Sequence, residues 1–297
     1  MQKGEGLKVL FIINPVSGGK EKNNWEAAIR EYFRDKPHRM EFYLLTGQDD
    51  KRSVMHHIDL FKPDRVVAVG GDGTVKMVAG ILKETPLVLG ILPAGSANGM
   101  ATELGLPVNM EEALDVVIHG SIKKIDLLRI NEEQICIHLC DVGLNAMLVK
   151  YFEQSKKRGM WSYGKAVFRV LWQKQKMRVS IQTESASYQR KAYMVVMANA
   201  RKYGTGANIN PEGDIADGRF EIVILRKLNV LEILKAIFTD RSFHPKRIEV
   251  IPATEAEIRI HRKAYFQVDG EFEGKTALVK ARVLAGVLHV VVPAQTA

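Results

Sequence analysis

Cysteine is nearly absent, with two in 297 residues, which excludes the disulfide framework of a small secreted scaffold. Long apolar runs are absent too. The first run, residues 7–13 (LKVLFII), meets Asn-Pro and Gly-Gly and is too short for the hydrophobic region of a signal peptide. The uncharged stretch over residues 87–102 contains Pro93 and several glycines and lacks the ~20 apolar residues of a transmembrane helix. The expectation is a cytoplasmic protein whose membrane contact is peripheral. Internal repeats and low-complexity linkers are also missing. With 46% hydrophobic and 26% charged residues, the composition is that of a folded globular chain.

Acidic residues are the minority charge: 34 Asp and Glu stand against 43 Lys and Arg, a formal net charge of +9. An excess of this sign points to an anionic partner, whether a nucleotide, a nucleic acid or an acidic membrane surface. The excess is local. Residues 150–178 carry nine Lys and Arg against the single acid Glu153. Trp161, Tyr163, Phe168 and Trp172 are interleaved with them. Basic groups with aromatic anchors suit an anionic bilayer. RNA binding is the rival functional reading, but no RNP-type or helix-turn-helix signature supports nucleic acid.

The first third of the chain alternates strand and helix signals. Residues 7–13, 40–45, 65–69 and 87–92 read as strands, and 23–35, 50–61, 74–82, 97–104 and 111–119 as helices. That alternation predicts βαβ crossovers and a parallel sheet flanked by helices. Past residue 122 the pattern becomes short alternating runs, among them QICIHLCDV, RVSIQTE, AYMVVMANA, RFEIVILR, RIEVIPA, AEIRIHR and AYFQVDGE. Helical stretches interrupt them near 145–175 and 229–239. The reading is an α/β domain over 1–122 and an antiparallel sandwich or barrel over 123–283. The closing run at 284–293 is a strand whose owner its own pattern does not name.

Three glycine-rich loops follow strands of the first domain. Gly70-Gly71-Asp72-Gly73-Thr74 comes directly after VVAV and opens a helix. Its glycines permit a sharp turn and close approach to a ligand, and the free N–H groups of turn and helix start suit phosphate. The spacing is neither the dinucleotide G-x-G-x-x-G nor a Walker A loop. Asn14-Pro15-Val16-Ser17-Gly18-Gly19-Lys20 follows the first strand, and Pro93-Ala94-Gly95-Ser96-Ala97-Asn98 follows the fourth. Strand C-termini of a parallel sheet share one edge, so the three loops form a single phosphate-binding rim.

In the second half, a strand alternation from Phe266 to Glu271 would put Asp269 and Glu271 on one face, able to share a metal or a proton. A polar hairpin turn is the plainer reading of the same residues. Asp214 and Asp217, three apart in a Pro- and Gly-rich loop, suit a hard cation such as Mg²⁺ or Ca²⁺, or form a solvated loop. Cys136, His138 and Cys140 alternate on ICIHLC and so share one strand face, where small core residues are expected rather than a metal site.

NPVSGGK, GGDGT and LPAGSANGMA, followed by KIDL at 124–127, DVGLNAMLV, NPEGDIADGRFEIVIL and VDGE, resemble the catalytic domain shared by soluble bacterial diacylglycerol kinases, sphingosine kinases and ceramide kinases. The resemblance covers nearly the whole chain. It implies an α/β nucleotide-binding domain followed by a β-sandwich, a site in the cleft between them, and a C-terminal strand, 284–297, that returns to the first domain. It implies ATP against Asn14, Pro15, Val16, Ser17, Gly18, Thr46, Gly70, Gly71, Asp72, Gly73, Thr74 and Ser96. Asp269 and Glu271 match the catalytic motif, one carboxylate taking the proton of a lipid hydroxyl. Asp214, Asp217 and the backbone of Arg219 match a structural Mg²⁺ site, and Asp126 a carboxylate in the network behind the active site. A homodimer is compatible with this family.

Three positions depart from the family pattern. Lys76 follows GGDGTV where Asn is usual, Asn145 replaces a common Asp, and Ser96 stands where diacylglycerol-type members often have Thr. The reading is an ATP- and Mg²⁺-dependent lipid kinase acting at an anionic membrane surface on a diacylglycerol-like or sphingoid-like lipid. The alternatives are a non-catalytic nucleotide- or lipid-binding homologue and another kinase of the GGDGT type, such as an NAD kinase.

Overall fold

The computed structural model describes residues 6–17, 25–153, 175–201, 210, 213–227 and 248–294. They form two compact units, Met1–Ile125 with Gly286–Ala297, and Asp126–Ala285.

The first unit runs β1 (Lys8–Ile13), α1 (Trp25–Phe33), β2 (Arg39–Leu44), α2 (Asp50–Phe61), β3 (Arg65–Gly70), α3 (Asp72–Leu82), β4 (Val88–Pro93), α4 (Gly99–Glu103) and α5 (Met110–His119). Strands β4, β3, β1 and β2 lie in that order, all parallel. Strands β1, β3 and β4 are buried on both faces, which is why they are continuous apolar runs rather than alternating ones, while the edge strand β2 is only half-buried. On one face Val9, Phe11, Ile13, Val67 and Val69 meet Ile29 and Phe33 of α1 and Leu114 and Val117 of α5. On the other, α2 packs on β1, and α3 on β3 and β4. Each fully buried Phe or Leu here contributes ~1.5–3 kcal/mol of apolar burial.

The second unit contains the second half of β5 (Ser121–Ile130), then β6 (Gln134–Cys136), β7 (Leu139–Gly143), α6 (Leu144–Glu153), β8 (Met177–Thr183), β9 (Ser187–Ala192), β10 (Met194–Ala198), β11 (Phe220–Leu225), β12 (Ile248–Ala253), β13 (Glu255–Val268) and the greater part of β14 (Glu271–Val292). Its pairings β12-β11-β10-β7-β13-β14 and β13-β8-β9 follow the antiparallel pattern of a β sandwich-like domain. One core gathers Val195, Met197, Phe220, Ile222, Ile224, Ile258 and Val279. Val196, Val223 and Leu225, on the opposite side of the same strands, fill a second. Past Gly286, β14 leaves this unit, and His289 and Val290 pair parallel with Val88 and Leu89 of β4.

The structure corrects four strand readings. QICIHLCDV is not one strand but β6 and β7, bent at Ile137–His138, so Cys136, His138 and Cys140 do not share one continuous strand face. AEIRIHR and AYFQV are one strand, β13, carrying register shifts between Arg259 and Ala264 and between Tyr265 and Gln267. The exposed run His261–Lys263 on that irregularity gives it the look of a loop. β14 starts at Glu271, well before residue 284, because its first turns alternate charged with only half-buried residues. SYQRKA, absent from the runs read as strands, is the strand β9. The helical readings over 154–174 and 229–239 lie outside the described residues.

Candidate functional site

The C-terminal ends of β1, β2, β3 and β4 converge on one edge of the parallel sheet. Asn14, Pro15, Val16 and Ser17 follow β1, Thr46 follows β2, Gly70–Thr74 join β3 to α3, and Ala94–Asn98 join β4 to α4. Backbone bonds lock the loops side by side: Asn14 N donates to Val69 O at 2.9 Å, and Ala94 N to Gly70 O at 2.9 Å. Asn14 Nδ2 reaches Thr74 Oγ1 at 3.3 Å, and Val16 N donates to Asn14 Oδ1 at 3.1 Å. Gly18, the remaining residue of that loop, lies outside the described residues.

The second glycine loop touches the third. A Cβ on Gly95 would sit 2.4 Å from the Cα of Gly71, so the third loop has no room for a side chain there. Asn98, at φ 51°, closes its own loop: its Oδ1 accepts from Gly95 N at 2.8 Å and its Nδ2 donates to Gly95 O at 2.9 Å. Asp72 crosses between loops. Its carboxylate accepts from Gly99 N at 3.0 Å and Met100 N at 3.1 Å, the first amides of α4. No side chain caps the start of α3, so that terminus presents its amides and positive dipole end to an anion.

Thr46 belongs to a smaller cluster. Its N and Oγ1 bind Asp50 Oδ1 at 2.9 and 3.0 Å, and Gly47 N binds Oδ2 at 2.8 Å. Burial works against the charge on Asp50, but bonds from Thr46, Tyr43 and Gly47 outweigh it and hold the carboxyl below the usual range. Asp50 was not singled out in the sequence, though an acid opening a helix after Thr-Gly is a detectable signal. Ser96 is exposed on the rim, and Lys76 is half-buried on α3. Beside the rim, a cavity of about 270 Å³ is lined by Ile13, Pro15, Trp25, Glu26, Arg30 and Leu44, among others.

In the second unit, Asp269 and Gly270 are not part of a running strand. They form a two-residue turn between β13 and β14, with φ 52° and 84°, as the Asp-Gly pair favours. Asp269 and Glu271 therefore do not share a strand face; Glu271 pairs across the turn with Val268. The Asp269 carboxylate receives the amides of Ile137, His138 and Leu139 at 3.1, 2.9 and 3.3 Å, and the Cys136 thiol at 3.3 Å. These bonds produce the bend between β6 and β7, because three successive N–H groups turn toward one carboxylate instead of a neighbouring strand. Glu271 is exposed.

Asp126, 1% exposed, accepts from Gly218 N through Oδ2 at 2.7 Å. The fold thereby ties Asp126 to the loop that carries Asp214, Asp217 and Arg219. Within that loop Asp214 Oδ1 accepts from Ala216 N at 3.1 Å and Asp217 Oδ1 from Arg219 N at 2.9 Å. Burial pushes the neighbouring Glu221 carboxyl up, and the negative charge of Asp217 adds to the rise. Among the described residues no group of three or more His, Cys, Asp or Glu is placed to hold a metal ion.

Two residues the sequence reading passed over complete this unit. Asp141, fully buried, accepts from Asn145 Nδ2 at 2.6 Å, from Ala146 N at 2.9 Å, and from Gln267 Nε2. Burial pushes its carboxyl up to about 6, against the pull of those bonds. Gln267 in turn accepts from Gly270 N at 2.7 Å. No spacing rule flags either residue, since they meet only through the β7–β13 pairing.

A parallel-sheet domain with three glycine loops along one edge, followed by a β sandwich-like domain with a carboxylate-bearing turn, is the pair of parts that family models match in this chain. Residues 8–130 match the diacylglycerol kinase catalytic domain, and residues 139–292 match the YegS C-terminal NAD kinase beta sandwich-like domain. The chain belongs to this diacylglycerol kinase and YegS-like lipid kinase family. It is 31% identical over 231 residues to the "Probable lipid kinase YegS-like" of Pectobacterium atrosepticum, covering 75% of this chain and 76% of that one. It is 26% identical to the diacylglycerol kinase of Bacillus subtilis, with 89% of each covered. A crystal structure of a diacylglycerol kinase from Bacillus anthracis superposes with a TM-score of 0.72 at 20% identity, covering 98% of both chains, which establishes the common fold.

Proposed function

We propose that this protein transfers the γ-phosphoryl group of ATP to a hydroxyl of a membrane lipid. The observation that carries the reading is the rim: three loops held together by backbone bonds, with the uncapped start of α3 among them and Asp72 bridging to α4. Such a surface suits a polyphosphate, since its donors are backbone N–H groups already in place. The cavity beside Pro15, Trp25 and Arg30 is a space in which the base would lie.

Phosphoryl transfer asks the protein for in-line positioning and charge stabilisation more than for covalent chemistry. The lipid oxygen bonds to the γ-phosphorus, the bond to the leaving ADP oxygen breaks, and the hydroxyl proton passes to the Asp269–Glu271 pair. When bound with the nucleotide, Mg²⁺ supplies neutralisation of the phosphate charge. A second, structural cation fits the loop of Asp214, Asp217 and the Arg219 carbonyl. Two carboxylates stand three residues apart there, a donor set of hard oxygens of the kind that Mg²⁺ takes.

The test is transfer of labelled phosphate from ATP to lipids presented in vesicles, with NAD as a control acceptor. Transfer to lipid is expected, lost in folded Asp72→Ala and reduced by about 10²-fold or more in whichever of Asp269→Asn and Glu271→Gln removes the proton acceptor. Tight ATP binding without transfer to any lipid would leave a nucleotide-binding module, and phosphorylation of NAD alone would move the protein to the other GGDGT kinases.

A further inference from the structure

Behind the Asp269–Gly270 turn lies a buried line of hydrogen bonds that the transfer of a phosphoryl group does not itself call for. Gln267 stands opposite Asp141 in the β13–β7 pairing and is 1% exposed. Its Nε2 donates to Asp141 Oδ2, and its Oε1 accepts from Gly270 N at 2.7 Å. The amide is thus fixed at both ends. Reversed, it would face an N–H with its own NH₂ at Gly270 and a carboxylate with its own oxygen at Asp141. Asp141 is fixed in turn by Asn145 Nδ2 and Ala146 N, at the start of α6. The line runs from α6 through β7 and β13 to the backbone N–H of Gly270, the residue between Asp269 and Glu271.

A buried carboxylate held by neutral donors is costly, and apolar side chains of similar volume would fill the same space without that penalty. What the polar line supplies, and an apolar pair would not, is a single orientation of the Gly270 peptide. We propose that Asp141, Gln267 and Asn145 are positioning residues for the reaction: through the Gly270 amide they hold the turn so that Asp269 and Glu271 are presented in one conformation. This rests on the kinase reading above. None of the three touches the reacting atoms, and none lies on the nucleotide rim. Their effect therefore belongs in kcat and not in KM for ATP.

The experiment uses the full-length chain. Wild type, Gln267→Leu, Asp141→Asn and the double variant Asp141→Asn/Asn145→Asp are assayed for transfer to lipid in vesicles. Amide hydrogen exchange at Gly270 is followed by NMR alongside. Gln267→Leu is expected to lower kcat about tenfold or more, to keep KM for ATP within about twofold, and to speed Gly270 exchange about tenfold. Asp141 Oδ2 accepts from both Asn145 and Gln267, so Asp141→Asn turns an NH₂ group either toward both of those donors or toward Ala146 N, and should do the same. The double variant restores a bond to position 145 but leaves an NH₂ group facing Gln267 Nε2, so its kcat should stay as low as that of Asp141→Asn.

Wild-type kcat in folded Gln267→Leu, unchanged Gly270 exchange, or a double variant that regains wild-type kcat without the Gln267 bond would each overturn the proposal. If Gln267→Leu does not fold, the Asp141 and Asn145 pair decides. A wild type that transfers no phosphate overturns the kinase reading and this proposal together, and it is seen before any variant is compared.

Discussion

Asp141 shows how one side chain can tie pH to stability. Its carboxyl sits at about 6 in the folded chain, against 3.8 ordinarily, because burial outweighs the bonds from Asn145, Gln267 and Ala146. A carboxyl raised on folding binds its proton more tightly in the native state, so the native state gains as pH falls. The gain develops between about pH 6 and pH 4 and amounts to roughly 3 kcal/mol when complete. The lowered carboxyls act in the opposite sense and lower in pH: Asp50, Glu184 and Glu249 lose their contribution only as they take up protons beneath their ordinary values. Unfolding of wild type and Asp141→Asn by denaturant at pH 7 and pH 5 should therefore show wild type gaining on the variant toward pH 5. A constant difference between them would place the titration elsewhere.

At the scale of elements, the β13–β14 turn and the β6–β7 bend are one device. Asp269 leaves the turn and collects the amides of Ile137, His138 and Leu139. Asn199, also buried, donates through Nδ2 to the carbonyls of Asp126 and Ile137 at 2.8 and 3.0 Å. Removing the carboxylate strips three N–H groups of their acceptor, and each such group left unsatisfied costs about 1–3 kcal/mol. Asp269→Ala should then destabilise the chain by several kcal/mol, measured by denaturant unfolding, with Asp269→Asn in between because it keeps one acceptor oxygen. A catalytic loss in Asp269→Ala is interpretable only beside that measurement. Equal stability of all three proteins would remove Asp269 from the structural role assigned to it.

At the scale of the whole molecule, the two units are not separable at a single cut. His289 and Val290 supply a parallel neighbour for β4, while β14 begins in the second unit at Glu271. Val290 and Val291 are fully buried in the first unit. A chain ended at Ala285 exposes β4 as an edge and loses those side chains at roughly 1.5–3 kcal/mol each. It should unfold at lower temperature in the first unit, as read by loss of ATP-induced stabilisation in a thermal scan. The net charge is also a property at this scale. The basic residues 154–174 lie outside the described residues, and among the described residues no helix is long and apolar enough to cross a membrane. Sedimentation with anionic vesicles should weaken as salt rises and on charge removal at Lys156, Lys157 and Arg158, since each basic group near such a surface contributes ~1 kcal/mol. Binding indifferent to both changes would remove the basic segment from the interaction.

Periodicity and loop chemistry made much of this architecture readable from the chain. Helix 50–61 was legible to the residue, and the glycine loops after β1, β3 and β4 gave the rim, because local hydrogen bonding and steric freedom decide such features within a few residues. What local pattern could not reveal was every contact made across long separations in sequence. Asp269 reads as either strand or turn until three amides some 130 residues away engage it. Cys136 to Cys140 alternates perfectly, yet the strand breaks there for the same reason. Asp141 lies in the DVGLNAMLV run, but nothing in that run points to Gln267; they stand 126 positions apart, and only the pairing of β7 with β13 makes them neighbours. A buried polar bond is worth its net energy only once the surrounding sheet has excluded water, so its partners are chosen by the assembled fold and not by the sequence nearby.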